Sequence, residues 1–383
     1  MSSPIGAGDV DDDDVEGSPA PLQSGPPNFH TRAHRGRALA PVPGGDDDAP
    51  MSPALPPEVG PVGPAVAAAL AEVPLVAGVD VGGTKTLAVV VDARGRTVSQ
   101  VRLATDAGAR GLIATVTEAL VEAAEGAGVS PDGLAAVGIG VPGLVDPRDG
   151  GLRHAVNLDI GADPVSLRDP VRRLIGGPVT VGNDVNLAAL GAAELFGRTG
   201  SVAYLSVGTG IAAGFVFDGK VFPGVRGVAG EIGHLPVDLY GAICECGQTG
   251  CLETVASGAV IARRWRGPDG APGDAAGLLA AAIAGDRTAI ALRDEIFGYL
   301  AWAVALIAQT VDPELVVLGG GVAEAGPPLL DAMRAALRRR AAVSPMLASL
   351  DLAARVAIAP PDVSLGALGA ARAARALVPD RDA

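Results

Sequence analysis

Residues 79–86, Val-Asp-Val-Gly-Gly-Thr-Lys-Thr, lie between two short apolar runs, Leu75–Val79 and Leu87–Val91. Runs of this length that are rich in β-branched residues predict buried β-strands, and the second run leads into a turn at Asp92–Gly95. The stretch therefore predicts a strand, a glycine-rich loop and a second strand that returns beside the first as a hairpin.

The same arrangement occurs again in the second half of the chain. The apolar run Val202–Val207 is followed by Gly208-Thr209-Gly210, by a further apolar run at Ile211–Phe217 and by the turn Asp218-Gly219. Helices are predicted at Gly111–Gly126, Val185–Phe196, Glu295–Thr310 and Leu365–Leu377, and further strands at Ala135–Val141, Val179–Val181 and Leu315–Leu318. This order predicts an α/β fold with two similar domains that face a cleft.

Glycine-rich loops follow three of the predicted strands, and phosphate groups bind at such loops in folds of this class. Missing side chains let backbone N–H groups approach phosphate oxygens, and hydroxyl and ammonium groups add donors. The loops consist of Gly82, Gly83, Thr84, Lys85 and Thr86, of Gly208, Thr209 and Gly210, and of Gly319, Gly320 and Gly321. One such loop alone is commonly only a tight turn, but the pair of Gly/Thr loops favours phosphate binding.

Asp184 follows a predicted strand and begins a predicted helix. Its carboxylate either caps that helix or projects into the cleft, and capping is the plainer interpretation of an Asn-Asp pair at this point. Transfer of a phosphoryl group needs one carboxylate near the acceptor hydroxyl, which takes its proton as the oxygen attacks phosphorus. Asp184 lies between the two halves and is the candidate for that base.

The three cysteines of the chain, Cys244, Cys246 and Cys251, lie within eight residues, and His234 lies ten residues before the first of them. Three thiolates and one imidazole form the four-ligand set of closed structural zinc sites. An odd number of cysteines argues against a disulfide framework. We therefore predict a structural Zn²⁺ that folds the loop from Glu231 to Glu253; three incidental cysteines are the alternative.

Composition separates the N-terminal segment from the rest of the 383 residues, of which 49% are hydrophobic. Residues 1–73 contain 11 acidic residues and 3 arginines, a balance of -8 out of -14 for the chain, together with many prolines. We expect a disordered acidic tail there, because such a segment cannot bury enough apolar surface to offset its ordering entropy. The expected domains are a small α/β domain at 74–186, a large one with the zinc loop at 187–363, and a C-terminal helix at 364–383 that returns to the small domain.

Charge and hydropathy also limit the partners that we expect. The chain has no basic stripe that would neutralise nucleic-acid phosphates, so nucleic-acid binding is not expected. It has neither a signal-peptide pattern nor an uninterrupted apolar run of about 20 residues, so we expect a cytoplasmic protein without a membrane partner.

Five motifs occur together in this chain: Asp80–Thr86, Gly182-Asn-Asp-Val-Asn186, Leu205–Gly210, Gly230-Glu-Ile-Gly-His234 and Cys244–Glu253. Together they resemble the ROK family of bacterial glucokinases, fructokinases, amino-sugar kinases and related transcriptional repressors. The resemblance covers about residues 75–377. It implies an actin-like sugar kinase fold that closes over ATP, Mg²⁺ and a hexose, and a homodimer is expected because dimers are common in this fold.

The resemblance also assigns roles by motif position. Asp184 is similar to the catalytic base of the family, Asp80 to a residue near the magnesium-bound phosphates, and Gly319–Gly321 to the adenosine-side loop. The residues that match those gripping sugar hydroxyls are Asn157, Asn183, Glu231, His234 and Glu253. His234 is thereby expected to direct one ring nitrogen to zinc and the other to the sugar.

Glucose, phosphorylated at its 6-hydroxyl, is the first expectation for the substrate, and two departures keep alternatives open. Asn157-Leu158 leads into Asp159-Ile160-Gly161, where many family glucokinases have an aromatic residue. Kinases for N-acetylmannosamine, N-acetylglucosamine or fructose share the same residues. Stretches 186–190 and 231–237 also resemble the repressors, which suggests a sugar-sensing regulator without turnover, although residues 1–73 are too rich in proline for a helix-turn-helix domain.

Overall fold

The computed structural model describes residues 74–146, 148–267 and 270–379. The predicted acidic tail at 1–73 therefore lies outside the described residues. The first half of the described chain forms a five-stranded sheet and a small three-stranded sheet. Its strands are β1 (Val76–Val81), β2 (Lys85–Val91), β3 (Thr97–Ala104), β4 (Ala136–Val141), β5 (Leu144–Val145), β6 (Gly151–Arg153), β7 (Val165–Ser166) and β8 (Val179–Asn183).

A second five-stranded sheet follows in the other half of the chain. Its strands are β9 (Val202–Val207), β10 (Ile211–Phe217), β11 (Lys220–Val221), β12 (Leu315–Gly319) and β13 (Val356–Ile358). The first large sheet has the order β3-β2-β1-β4-β8 and the second the order β11-β10-β9-β12-β13. In each, the central strand is antiparallel to the next strand along the chain and parallel to its other neighbour. The predicted α/β fold with two similar halves is confirmed.

Ten α-helices connect and cover these strands in the part of the chain that the structure describes. They are α1 (Gly108–Gly126), α2 (Arg168–Ile175), α3 (Asp184–Leu195), α4 (Glu253–Ala256), α5 (Gly258–Arg264), α6 (Ala275–Ile283), α7 (Arg287–Val311), α8 (Pro327–Ala342), α9 (Pro345–Ser349) and α10 (Leu365–Arg375). Within these same residues, no helix is long and apolar enough to cross a membrane.

The two faces of the first large sheet pack against different helices. On β2, Ala88 and Val90 belong to the core beneath α1, whereas Leu87, Val89 and Val91 pack with residues of α10. Successive residues of a strand point to opposite faces, so this alternation fixes which side chains face α10. That face carries the site described below.

Helix α10 crosses α3 at a very short distance, and two glycines allow the approach. A Cβ on Gly369 would overlap the carbonyl oxygen of Leu187, and one on Gly191 would overlap the carbonyl oxygen of Leu365. The crossing therefore requires glycine at position 369 of α10 and at position 191 of α3. It fixes the start of α10 beside the end of β1.

Candidate functional site

A cavity of about 770 Å³ lies between the two large sheets. Because β1, β4 and β8 run parallel to one another, Asp80, Gly140 and Gly182 form one row near the carboxyl ends of these strands. The cavity is lined from one side by Asp80, Gly82, Thr84, Lys85 and Asp184, and from the other by Gly208, Thr209, Gly319, Gly320 and Gly321. Residues from all three predicted phosphate loops therefore meet at one cleft.

Asp184 is the first residue of α3, and it does not cap that helix. The cap is Asn183, whose Oδ1 accepts a hydrogen bond of 3.1 Å from the backbone N–H of Asn186. The plainer interpretation of Asp184 as the cap is thus wrong, because the preceding residue occupies that position. The half-buried Asp184 side chain lines the cleft instead.

The surroundings of Asp184 favour its neutral form. Burial, followed by the negative charge of Asp80, raises its pKa from the ordinary 3.8 to about 7, while a hydrogen bond from the Val185 N–H opposes the shift. A carboxyl group with a pKa near neutrality can accept a proton and release it again at physiological pH. The site thus contains a group suited to general base catalysis.

Asp80 lies near the end of β1, and its side chain has a hydrogen-bond partner that no sequence motif predicts. The Ser364 hydroxyl, at the start of α10, donates a hydrogen bond of 2.9 Å to its carboxylate. Burial raises the pKa of Asp80, and this hydrogen bond and the charge of Lys85 oppose the rise. Asp80 and Asp184 therefore place two carboxyl groups in one cleft, an arrangement that suits a divalent cation.

Not every residue of the predicted phosphate loops reaches this cleft. Thr86 is buried, and its hydroxyl is hydrogen-bonded to that of Thr105 at 2.9 Å. Gly83 faces Asn157, and Gly210 faces a carboxylate oxygen of Glu253. The structure thus does not bring Thr86, Gly83 and Gly210 to the cavity wall, and Thr86 is not available as a donor to a phosphate there.

The predicted metal ligands are brought together. One ligand atom from each of His234, Cys244, Cys246 and Cys251 lies within 4.8 Å of all the others. The Sγ atoms of Cys246 and Cys251 are 3.6 Å apart, close to the edge of about 3.8 Å expected for a zinc tetrahedron with Zn–S bonds of 2.3 Å. Both the donor set and its spacing fit a zinc ion.

His234 connects this cluster with two carboxylates of the predicted sugar site. Its Nδ1 lies 3.6 Å from Cys244 Sγ and 3.4 Å from Glu253 Oε1, whereas its Nε2 lies 3.8 Å from Glu231 Oε2. The two ring nitrogens therefore point to different neighbours. The negative charge of Glu231 also contributes to the raised pKa of Asp184, which places these carboxyl groups in one electrostatic neighbourhood.

Asn157 and Asn183, the remaining predicted sugar residues, belong to the first half of the chain and are not among the residues that line the cavity. The Asn157 side chain lies 3.2 Å from the position that a Cβ on Gly83 would occupy. Asn183 donates a hydrogen bond of 3.3 Å from Nδ2 to the carbonyl oxygen of Gly143, in addition to capping α3. Both polar groups of Asn183 thus have protein partners.

Several residues of the cleft were not predicted from the sequence. Tyr204 accepts a hydrogen bond of 3.1 Å from the Gly320 N–H, and burial first of all raises the pKa of its hydroxyl to about 12. The remaining walls include Arg102, Asp274, Glu324, Asp362 and Ser364. Among these residues, only Asp274 and Ser364 could have been found from a local sequence signal. Each is an N-cap residue that immediately precedes a helix.

Known proteins similar to this chain include kinases and a repressor. The glucokinase of Halalkalibacterium halodurans is 37% identical over 274 residues, which are 66% of this chain and 82% of that protein. The xylose repressor of Caldicellulosiruptor bescii is 31% identical over 233 residues, which are 56% of this chain and 57% of that protein.

Two crystal structures resemble the fold closely. The ROK hexokinase from Thermus thermophilus has a TM-score of 0.63 and 35% identity, over 79% of this chain and 98% of that one. The ROK family glucokinase from Streptomyces griseus, in complex with glucose and AMPPNP, has a TM-score of 0.65 and 31% identity, over 79% and 99%. The family model itself matches residues 76–376, and this chain belongs to the ROK family.

Proposed function

We propose that this protein phosphorylates a hexose with ATP, and that glucose, converted to glucose 6-phosphate, is its substrate. The observation that carries the proposal is the position of Asp184, in a cleft lined by glycine-rich loops, with surroundings that raise its pKa to about 7. The glucokinases among its relatives, and the bound glucose and AMPPNP in the Streptomyces griseus structure, support the same substrates.

In the proposed reaction, the 6-hydroxyl of the sugar attacks the terminal phosphorus of ATP while Asp184 accepts its proton. Backbone N–H groups of the three glycine-rich loops would bind the phosphates and stabilise the charge of the transferring group, at positions other than Gly82, Gly208 and Gly320, whose N–H groups donate within the protein. Asp80 would hold Mg²⁺, which neutralises phosphate charge when bound. The cleft is formed from two halves, so its closure would exclude water from the reacting groups.

For sugar binding, we propose that hydroxyl groups are gripped by Asn157, Asn183, Glu231, His234 and Glu253. His234 would give Nδ1 to zinc and keep Nε2 for the sugar, which is consistent with the neighbours of the two nitrogens. Zinc would then be structural, because it fixes the segment that carries these groups and takes no part in phosphoryl transfer. The domain boundaries given above, at 74–186, 187–363 and 364–383, belong to the same proposal.

The proposal is tested by a coupled ADP-release assay with glucose, N-acetylglucosamine, N-acetylmannosamine and fructose. We expect turnover with glucose above that with the other sugars. Higher turnover with another of these sugars would identify that hexose as the substrate instead of glucose. Sugar binding without ADP release would favour the second candidate, a sugar-sensing regulator, which the similarity to the xylose repressor supports.

A further inference from the structure

The cleft has an unusual balance of charge for a site that accepts a nucleotide. Among the described residues that line it, five are acidic: Asp80, Asp184, Asp274, Glu324 and Asp362. Two lining residues, Lys85 and Arg102, are cationic. A triphosphate adds several more negative charges, and Lys85 and Arg102 are the cationic side chains of the described lining that can offset the resulting repulsion.

The strand register places Arg102 in line with the proposed phosphate site. Asp80 on β1 pairs with Leu87 on β2, and Leu87 pairs with Arg102 on β3. Paired residues of neighbouring strands share a face, so these three side chains form a row on the face toward α10. Strands lie about 4.8 Å apart, which puts the Arg102 backbone roughly 10 Å from that of Asp80.

Leu87 lies between Arg102 and Asp80, and its side chain carries no charge that would compete for the guanidinium. Leu87 is buried at 7% exposure, and the methylene groups of an arginine pack readily over such an apolar surface. Arg102 itself is exposed, and within the described part of the chain its side chain forms no hydrogen bond or ion pair. Its guanidinium is therefore available to a ligand, and its planar set of donors matches phosphate oxygens.

We infer that Arg102 binds the outer phosphates of the nucleotide, together with Lys85, and so determines how strongly the cleft distinguishes a di- or triphosphate from a monophosphate. This inference rests on the proposed function, since it assigns a new contact within the same donor site. Arg102 lies outside the glycine-rich loops and belongs to no motif identified in the sequence.

The test is direct binding of AMPPNP, ADP and AMP, each with Mg²⁺, to the full-length protein by calorimetry. We expect Arg102→Gln to weaken AMPPNP and ADP binding at least about fivefold while AMP affinity changes less than twofold, and Arg102→Lys to give intermediate values. The matched control is Arg110→Gln, because Arg110 is an exposed arginine of α1, which packs on the opposite face of the same sheet. It should leave all three affinities unchanged.

Unchanged AMPPNP affinity in Arg102→Gln, or an equal loss for AMP, would overturn the inference. A further readout uses salt, because wild-type affinity for AMPPNP should fall more steeply with ionic strength than that of Arg102→Gln. Wild-type protein that binds AMPPNP but releases no ADP with any hexose would refute the proposed function while the Arg102 comparison still decides the inference.

Discussion

The hydroxyl of Ser364 donates a hydrogen bond to the carboxylate of Asp80 across 284 residues of sequence. The same oxygen accepts a hydrogen bond of 3.2 Å from the Ala367 N–H and thereby caps α10. One side chain thus stabilises the start of a helix and holds a carboxylate of the candidate nucleotide site. The position of Asp80 is therefore coupled to that of α10.

Replacement of Ser364 by alanine tests this coupling. We expect a loss of about 1 kcal/mol in unfolding free energy from the missing cap, and a rise of at least about threefold in the KM for ATP because Asp80 loses its hydrogen bond. Ser344→Ala is the matched control, since Ser344 caps α9 in the same way and does not line the cleft. Equal KM values in both variants would show that Ser364 is only a helix cap.

The activity of the protein should depend on pH through Asp184. A base must be deprotonated, so kcat/KM should be constant above pH 7 and fall about tenfold per unit below it, as the group with a pKa of about 7 becomes protonated. Asp184→Asn should lower kcat at least about 100-fold and leave sugar affinity within a few-fold. A flat profile between pH 8 and pH 5.5, or substantial turnover in Asp184→Asn, would exclude Asp184 as the base.

Stability should show the opposite dependence on pH. The pKa of Asp184 in the folded protein lies above its ordinary value of 3.8, so the folded state binds the proton more tightly than the unfolded state. The favourable contribution is fully present below pH 3.8 and is lost as pH rises to about 7. Asp184→Asn should therefore be more stable than wild type at pH 8, by at least about 1 kcal/mol, and this advantage should shrink at pH 5. Urea unfolding at both pH values measures it, and a constant difference would contradict the assigned cause.

Zinc should be required for sugar binding but not for nucleotide binding. The metal would tie Cys244, Cys246 and Cys251 to His234, whose ring lies beside Glu231 and Glu253. We expect Cys246→Ser to contain less zinc and to bind glucose at least about tenfold more weakly, about 1.4 kcal/mol, with AMPPNP affinity preserved. Tyr240→Ser, at a residue of the same loop that is 97% exposed, should change neither affinity. Normal glucose affinity in zinc-free protein would refute the shared role of His234.

Local patterns in the sequence predicted the strands and loops well, because apolar runs that end in glycine have few alternatives. The predicted strands Val202–Val207 and Ile211–Phe217 coincide with β9 and β10. The helix predicted at Glu295–Thr310 begins eight residues earlier, at Arg287, because Asp286 caps it by accepting a hydrogen bond from the Ala289 N–H. Such a cap is a local signal that the apolar pattern alone does not include.

The contacts that complete the site depend on tertiary packing and have no local signal. Ser364 reaches Asp80 only because α10 returns to β1, and Arg102 joins the cleft only through the pairing of three strands. Thr86 is the opposite case. Its hydroxyl belongs to a predicted phosphate loop, but it is hydrogen-bonded to the hydroxyl of Thr105 within the protein. Spacing in the sequence can thus suggest a phosphate loop without deciding which of its donors face the ligand.

The crossing of α3 and α10 should tolerate no side chain at Gly369. A Cβ there would meet backbone atoms of Leu187 and Gly191, which cannot move without separating the two helices. Gly369→Ala should therefore lower the unfolding free energy by roughly 2 kcal/mol or more, despite the gain of up to about 1 kcal/mol that alanine brings to a helix interior. Gly298→Ala is the matched control, because Gly298 also lies inside a helix, α7, and a Cβ there meets nothing within 4 Å. That variant should be stabilised.

Because Ser364 caps α10, Gly369→Ala should also raise the KM for ATP, whereas Gly298→Ala should not. Urea unfolding and steady-state kinetics on both variants test this account, and equal stability changes in the two would show that the crossing has room to adjust.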